Sequence, residues 1–333
     1  MSNLTSVLVT GGGGYVGSAL TPKLLDAGFH VRVLDLFLYG RDVLDAVRDH
    51  PHLELVTGDL RDRDAVASAV RGCDAVIHLA CISNDPSFEL DPDLGKSINF
   101  DSFRPLVEQS RAAGVRRFIY ASSSSVYGVK QEEQVTEDLP LEPLTDYSRF
   151  KALCEEILRE YESPDFTTVT LRPATVCGYA PRLRLDLTVN ILTNHAVNKG
   201  KITVFGGSQY RPNIHIDDIT DLYVQLLQLP ASDVTGRVWN AGWDNMSVAE
   251  IARQVQQVVG AEQVDISTEP TDDLRSYRIS SAQILGDIGF APQHSIHSAA
   301  SDLHAAFQQN LIAAPLDDDR YYNVRRMQSV GLR

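Results

Sequence analysis

Tyr147 and Lys151 combine the residue types and the spacing with the clearest chemical potential in this chain. They lie four positions apart in the segment "DYSRFK", which we predict to be helical. On a helix this spacing places a phenol and an ammonium on the same face. A phenol with a pKa of about 10 is only about one part in a thousand ionised at pH 7. The pair is therefore a candidate proton acceptor whose basicity depends on nearby positive charge.

A glycine-rich turn indicates a phosphate site. The segment "SVLVTGGGGYVGSAL" reads as a buried strand at Val7 to Val9 and a helix from Tyr15 to Ala27,. Gly11, Gly14 and Gly17 form G-x-x-G-x-x-G, one residue different from the common dinucleotide pattern,. Such a turn directs backbone N–H groups and the positive helix end at one point, which suits a phosphate.

Asp35 ends the next strand, 24 positions after Gly11. About 20 positions are expected for a carboxylate that binds adenosine ribose hydroxyls and disfavours a 2′-phosphate, so we predict NAD rather than NADP. An oxidised nicotinamide and Lys151 could together lower the Tyr147 pKa by about three units, which requires about 4 kcal/mol. We expect a structural or solvated role for Arg41. Asp59, in "VTGDL", is predicted to meet the adenine or to cap a helix,.

The elements that would position these residues alternate between apolar strand-like runs and helical patterns. Six predicted strands cover 7–9, 31–34, 53–56, 75–79, 117–121 and 168–171. This alternation is typical of an α/β protein with a doubly wound parallel sheet of the Rossmann type. We predict this domain over residues 1–178 and a smaller mixed α/β lobe over 179–333, with some segments returning to the sheet.

The second half has four predicted helices and a charged end. The helices cover 187–197, 217–229, 248–259 and 296–309. We expect the end, Leu316 to Arg333, to follow the surface rather than to add to the core.

Composition excludes several classes of partner. The chain has 333 residues with 30 basic and 44 acidic side chains, a formal charge of −14. This charge opposes nucleic acid and anionic membranes, so an anionic small ligand needs local N–H groups and a few placed arginines. The four cysteines lack metal-ligand spacing, and no long apolar run is present,. We therefore expect a cytoplasmic protein with reduced thiols and no metal site.

A serine run follows the fifth predicted strand, in "FIYASSSSVYG" from Phe118 to Gly128. Open α/β sheets bind ligands at the carboxyl ends of their strands. A serine hydroxyl at this position could hold a substrate oxygen beside Tyr147. The serines could equally form a polar strand end.

Over nearly its whole length the chain resembles the extended short-chain dehydrogenases/reductases, the class of NAD-dependent nucleotide-sugar epimerases and dehydratases. The resemblance rests on "TGGGGYVG", "DL" at Asp59, "HLAC", "SINFDS", "SSSSVYG", "YSRFK", "LRPATVCGYAPR" and "RPNIHIDD". It implies that Tyr147 is the base, that Lys151 lowers its pKa and holds the nicotinamide ribose, and that Ser123 binds the substrate oxygen. Ser122 and Ser124 compete for the last role.

The same resemblance implies a ligand site built from many segments. Predicted NAD contacts are Gly11, Gly14, Tyr15, Val16, Gly17, Asp35, Asp59, Leu60, Leu79, Ala80, Asn99, Tyr147, Lys151 and Pro173. Predicted substrate contacts are Ser83, Ser124, Asn190, Arg211 and Arg275. Arg211 matches the family's pyrophosphate-binding arginine, and Asn190 its phosphate-binding asparagine. A further family arginine is replaced by Glu269, and Arg275 is a possible substitute. His215 is expected to pack or to cap a helix.

Differences from the family's subtypes reduce the number of reactions that the resemblance implies. The 4,6-dehydratases carry an Asp-Glu pair after the catalytic Thr, where this chain has Ser124 and Ser125,. The family's decarboxylases keep a Glu at the second of these positions, and its 3,5-epimerase/reductases place a Cys in this loop, where this chain has Ser125. Cys81 and Cys177 lie elsewhere and are expected to be core residues. A 4-epimerase is the preferred reading, followed by a net dehydrogenase or reductase, and then by a dinucleotide sensor without catalysis.

The resemblance also suggests a homodimer. The helices near 99–113 and 147–161 would pack as a four-helix bundle with their copies. Apolar Phe150, Leu153, Ile157 and Leu158 could form that seam or face the protein's own sheet,.

Overall fold

The computed structural model describes residues 4–271 and 276–332. Its strands are β1 Ser6–Thr10, β2 His30–Asp35, β3 Leu53–Thr57, β4 Ala75–His78, β5 Arg117–Ala121, β6 Thr167–Pro173, β7 Thr175–Cys177, β8 Lys201–Phe205, β9 Tyr210–His215, β10 Arg237–Ala241, β11 Asp244–Ser247 and β12 Asp265–Glu269. The six predicted strands are confirmed as β1 to β6, with ends shifted by at most two residues.

The helices alternate with the strands through the first half of the chain. They are α1 Tyr15–Asp26, α2 Arg63–Val70, α3 Asp85–Phe88, α4 Pro92–Lys96, α5 Phe103–Ala112, α6 Asp146–Glu160, α7 Thr188–Lys199, α8 Ile216–Gln228, α9 Ala231–Val234, α10 Val248–Val259, α11 Ala282–Ile288, α12 Ile296–Gln308 and α13 Asn323–Val330. The four helices predicted in the second half are confirmed as α7, α8, α10 and α12. Within the described residues, none of the helices combines the length and apolar character needed to span a membrane.

The main sheet has seven parallel strands in the order β10-β6-β5-β4-β1-β2-β3. The predicted doubly wound parallel sheet of the Rossmann type is therefore confirmed. The order in which the chain adds strands to the sheet reverses at β1, which pairs with β2 on one side and β4 on the other. A crevice forms at the carboxyl ends of strands at such a switch point.

Helices cover both faces of this sheet. Helices α1 and α8 pack on one face, where Leu20 and Leu222 are fully buried. Helices α2, α5 and α6 pack on the other, where Val66, Leu106 and Leu158 are buried. The apolar faces of these helices are thereby removed from water, which is the main stabilising contribution to such a layered fold.

The second half forms a mixed lobe and also completes the sheet. The lobe holds the three-stranded sheet β11-β9-β7 and the parallel pair β12-β8. Helices α7, α10 and α12 pack around buried Val189, Ile251 and Ala299. Strand β10 returns to the edge of the main sheet beside β6. The boundary at residue 178 stays a prediction.

The C-terminal end differs from the expectation of a surface segment. Tyr322 and Met327 are buried and belong to two apolar clusters. The expectation that this end follows the surface rather than adding to the core is wrong, because Tyr322 and Met327 pack into those clusters.

The apolar stripe of α6 packs mainly inside its own chain. Phe150 stacks near Phe88 and Phe100, and Ile157 and Leu158 are buried against the main sheet's helical layer. This is the alternative in which the stripe faces the protein itself. The homodimer stays a prediction and draws no support from these side chains.

A buried ion pair joins α6 to β6. The Arg172 guanidinium lies 2.7 Å from the Glu155 carboxylate, and both side chains are almost fully buried. Arg172 also donates to the Tyr127 hydroxyl at 2.8 Å, and Ser122 donates to Glu155. The pair therefore connects the helix of Tyr147 to the serine run after β5.

We expect Glu155→Gln to lower the free energy of unfolding by about 3–5 kcal/mol, because Arg172 would keep a buried charge without its counterion. Urea unfolding followed by circular dichroism measures this loss. Glu156→Gln, at the exposed neighbouring position, is the control and should unfold like the parent. Equal stability of the two variants would contradict the importance of the pair.

Candidate active site

A cavity of about 510 Å³ lies at the carboxyl ends of the central strands. The predicted residues that line it are Gly11, Gly14, Tyr15, Val16, Gly17, Asp35, Asp59, Leu60, Leu79, Ala80, Ser83, Ser123, Ser124, Tyr147, Lys151, Pro173 and Arg211. Asn99 and Asn190 are not among the lining residues, and Arg275 lies outside the described residues. The fold thus brings most predicted site residues to one cavity, whereas their contacts with ligands stay predictions.

The glycine turn is packed too closely for side chains. A Cβ on Gly11, whose φ is +79°, would lie 2.6 Å from the Ala80 nitrogen, and one on Gly17 would lie 2.4 Å from the Gly11 oxygen. Gly14 begins α1 without a side-chain cap, and the first turn of the helix has no acidic residue. The N-terminus of α1 is therefore free to accept an anion, so the turn fits a dinucleotide phosphate.

Asp35 is held at the rim of this turn by two backbone donors. Its carboxylate accepts from the Gly13 N–H at 2.9 Å and from the Phe37 N–H at 2.6 Å. Burial raises the pKa of Asp35, while these N–H bonds act in the opposite direction,. One bond to each oxygen leaves acceptor capacity for ribose hydroxyls.

Two other charged residues near the turn have different roles. Arg41 donates to Thr57, lies 5.0 Å from the centre of the Phe37 ring and is not among the residues that line the cavity, so its structural or solvated role stays a prediction. Asp59 pairs with Arg61 at 2.6 Å, and it is Asp62 that caps α2. The helix-cap alternative for Asp59 is therefore wrong.

The first turn of α6 presents Tyr147 to the cavity. Thr145 and Ser148 form a capping box that begins this helix,. Lys151 follows one turn later, with Nζ 5.9 Å from the centre of the Tyr147 ring and 2.6 Å from the Ala121 carbonyl oxygen. The predicted shared face is confirmed. The carbonyl contact fixes the ammonium against the end of β5.

The electrostatics of Tyr147 oppose ionisation in the protein alone. Burial raises the pKa of this phenol well above its ordinary value, and Cys81 and Asp85 act in the same direction. The Arg184 guanidinium and a hydrogen bond with Ser123 lower it. The phenol is therefore neutral unless further positive charge reaches the cavity.

The competing serines occupy different environments. Ser122 is buried and donates to Glu155, so it is engaged in the structural network. Ser123 interacts with Tyr147 and accepts from the Ser125 N–H at 3.1 Å. Ser124 lies 3.2 Å from the Tyr277 hydroxyl. Of the three, Ser123 is the one held beside the phenol.

Several cavity residues were not predicted from the sequence. Arg184 lies 2.9 Å from Asp186 and 3.2 Å from the Ser83 hydroxyl. Arg182 lies over the Tyr39 ring, with 3.6 Å between the guanidinium carbon and the ring centre. The one sequence feature that could have indicated these cavity residues is the pair of closely spaced arginines in "APRLRLD", in a chain that is acidic as a whole.

Asn99 and Asn190, which are predicted to contact ligands, form hydrogen bonds with other residues of the protein. Asn99 exchanges two hydrogen bonds with the Ile82 backbone, at 2.8 and 2.9 Å, and so clamps the loop after β4. Asn190 donates to the Tyr15 hydroxyl at 3.1 Å and to the Arg184 carbonyl at 2.8 Å. Both side chains therefore hold residues that line the cavity without lining it themselves.

His215 caps α8, as expected. Its Nδ1 accepts from the Asp217 N–H at 3.1 Å, and its Nε2 lies 3.1 Å from Asp302. His215, Asp217 and His294 bring possible ligand atoms within 4.8 Å of one another. His294 in turn bonds Asp218 at 2.8 Å. These contacts give the two histidines a structural function between α8 and the start of α12.

Comparison with known proteins agrees with this geometry. A sequence model of the NAD dependent epimerase/dehydratase family matches residues 7–242. The low-salt glycan biosynthesis protein Agl12 of Haloferax volcanii is 30% identical over 302 residues, covering 87% of this chain and 94% of the relative. The UDP-glucose 4-epimerase of Bacillus subtilis strain 168 is also 30% identical, covering 77% and 83%.

A solved structure shows the same fold. DesIV, the dTDP-glucose 4,6-dehydratase of Streptomyces venezuelae solved with NAD and TYD bound, superposes with a TM-score of 0.83. The match covers 94% of this chain and 100% of that one at 24% identity. With the glycine turn, Asp35 and the Tyr147–Lys151 pair around one cavity, this chain belongs to the NAD dependent epimerase/dehydratase family, and its cofactor is NAD.

Proposed function

We propose that the protein is a nucleotide-sugar epimerase acting at sugar C4. The observation that carries the proposal is the group formed by Tyr147, Lys151 and Ser123 at a cavity whose serine loop has no acidic pair. Beside the hydride acceptor that bound NAD would supply, reversible oxidation of one sugar carbon requires from the protein only a base and a hydroxyl donor. Dehydration needs an additional acid and base beside the ketone, where Ser124 and Ser125 stand.

The chain's own groups define the proton path. NAD, when bound, supplies the hydride acceptor and donor and adds positive charge. Lys151 and Arg184, together with the positive charge that oxidised NAD would add, would lower the Tyr147 pKa so that the phenolate oxygen could accept the proton of the C4 hydroxyl. Ser123 donates a hydrogen bond to the same sugar oxygen. After the keto sugar has turned within the cavity, the hydride would come back from the cofactor to the other face of the sugar carbon, and the protonated Tyr147 would return its proton to the C4 oxygen.

The substrate assignment follows from charge and from the relatives. Arg211 lines the cavity, and its Nη1 donates to the Tyr210 carbonyl at 3.1 Å. In a chain of net charge −14, placed arginines provide the local attraction that a sugar diphosphate requires,. The UDP-glucose 4-epimerase relative supports this substrate class. A homodimeric state and a cytoplasmic location stay predictions.

Net oxidation or reduction of a nucleotide sugar is the second candidate, because the same three residues serve it. A sensor without catalysis is the third, and the presence of both Tyr147 and Lys151 argues against it. The two enzyme reactions differ in whether reduced cofactor leaves the cavity.

A direct assay tests the reaction. Purified protein is incubated with UDP- and dTDP-hexoses, with absorbance recorded at the reduced-cofactor band and the sugar products identified by NMR. We expect a C4 epimer without net accumulation of reduced cofactor. Accumulation of free reduced cofactor with a keto or acid product would overturn the epimerase proposal in favour of a dehydrogenase.

We expect Tyr147→Phe to lower kcat by about 10²–10⁴-fold, the usual contribution of a positioned acid–base group. NAD binding, measured by fluorescence titration, should change little because the ring is retained. Tyr161→Phe, at the end of the same helix, is the matched control and should retain activity, since its hydroxyl bonds Glu108 and Arg104. Full activity of Tyr147→Phe would exclude the phenol as base.

We expect Arg184→Gln to move the rising limb of the kcat–pH profile to higher pH. Arg184 lowers the Tyr147 pKa, so removing its charge raises that pKa and reduces the phenolate fraction at neutral pH,. Rates measured from pH 6 to 10 would show partial recovery at the alkaline end. Arg159→Gln, which removes the same charge from an exposed position on α6, should leave the profile in place. A uniform loss at every pH would refute an electrostatic effect.

A further inference from the structure

The C-terminal segment, residues 316–332, forms part of the cavity wall although it lies beyond the part of the chain matched by the family. Asn323, Met327 and Leu332 all line the cavity. The family match ends at residue 242. The segment thus adds a C-terminal wall to a site whose other walls come from the sheet loops and the lobe.

Asn323 connects three loops that surround the cavity. Its Nδ2 donates to the Ser83 hydroxyl at 2.8 Å, and its Oδ1 accepts from the Tyr39 hydroxyl at 3.0 Å and from Arg182. Its backbone N–H donates to Asp186 at 3.0 Å. The side chain is 3% exposed, so its polar atoms are bonded to protein rather than to bulk water. An asparagine so fully engaged fixes the segment in one position.

The two ends of α13 reach different regions of the site. At its start, Asn323 accepts from the Tyr39 hydroxyl in the loop that follows Asp35, and Arg326 in the middle of the helix donates to the Leu38 carbonyl of the same loop. On its inner face, Met327 joins the apolar cluster of Ile82 and Phe88, against which Tyr147 and Leu332 also pack. Eight helical residues span about 12 Å, so the segment bridges from the loop after Asp35 toward the Tyr147 cluster,.

A dinucleotide that contacts Asp35 at one end and Tyr147 at the other would have to pass beneath this bridge. We propose that residues 316–332 are a cover that retains NAD in the cleft, and that Asn323 is the positioning residue that holds the cover closed. Release of NAD then requires that the bonds of Asn323 to the three loops break. The proposal concerns cofactor retention and is independent of which sugar reaction occurs.

Retention of NAD matters for a reaction in which the reduced cofactor gives its hydride back to the sugar. A cofactor that stays bound can be oxidised again before it escapes, whereas an open cleft permits loss of the reduced form. The charge of the chain makes a cover useful, because a net charge of −14 weakens long-range attraction for an anionic dinucleotide,.

The test measures dissociation of the cofactor, not turnover. The protein is loaded with NADH, mixed rapidly with excess NAD, and the loss of bound-NADH fluorescence is followed. We expect Asn323→Ala to release NADH at least tenfold faster than the parent. Gln328→Ala, at an exposed position on the same helix, is the matched control and should release NADH at the parental rate. Equal rates for Asn323→Ala and the parent would overturn the proposal.

A second measurement uses the unaltered chain and so does not depend on how Asn323→Ala folds. Hydrogen exchange of the peptide covering residues 316–332 is recorded with and without NAD. We expect slower exchange in this peptide when NAD is bound, because the cover must open for the ligand to leave. Unchanged exchange in 316–332, together with protection of the glycine turn that reports NAD binding, would overturn the cover while leaving the proposed reaction standing.

Discussion

The environment of the half-buried Tyr147 phenol is the constraint around which the site is organised. Removal from water disfavours the phenolate, and the neighbouring Asp85 disfavours it further,. In the proposed reaction, the phenol would act as a base where positive charge from Lys151, Arg184 and the oxidised cofactor is concentrated. Under that proposal, proton transfer would be coupled to the presence of NAD, because the base would be active only with a hydride acceptor in place.

Contacts between α6 and the strands β5 and β6 hold these charged groups in fixed positions. Lys151 is tied to the carbonyl of Ala121 at the end of β5, while the Arg172–Glu155 pair ties α6 to β6. The same pair holds Ser122 and leaves Ser123 beside the phenol. A buried ion pair contributes little net stability compared with apolar packing, but it is costly to break. Its value here is that it fixes the relative position of the helix and the serine loop.

The cavity concentrates cations within a chain of opposite overall charge. Arg182 and Arg184 are largely buried and are neutralised in part by Asp186 and by polar groups of neighbouring loops. Arg211 adds a third guanidinium to the cavity wall. Attraction for an anionic ligand would therefore arise locally at these guanidinium groups, since the net charge of the chain is −14,. The C-terminal segment belongs to the same arrangement, because Asn323 accepts a hydrogen bond from Arg182.

Local pattern alone determined the strands β1 to β6, the glycine turn, Asp35 and the shared face of Tyr147 and Lys151, because hydrophobic periodicity and helical spacing act over a few residues. Tertiary structure decided which serine stands beside the phenol, that Asn99 and Asn190 bond the chain itself, and that Arg184 acts on Tyr147. It also placed Asn323 against Ser83, 240 positions away in the chain. Such contacts depend on how distant segments pack together, and no spacing within the sequence carries that information.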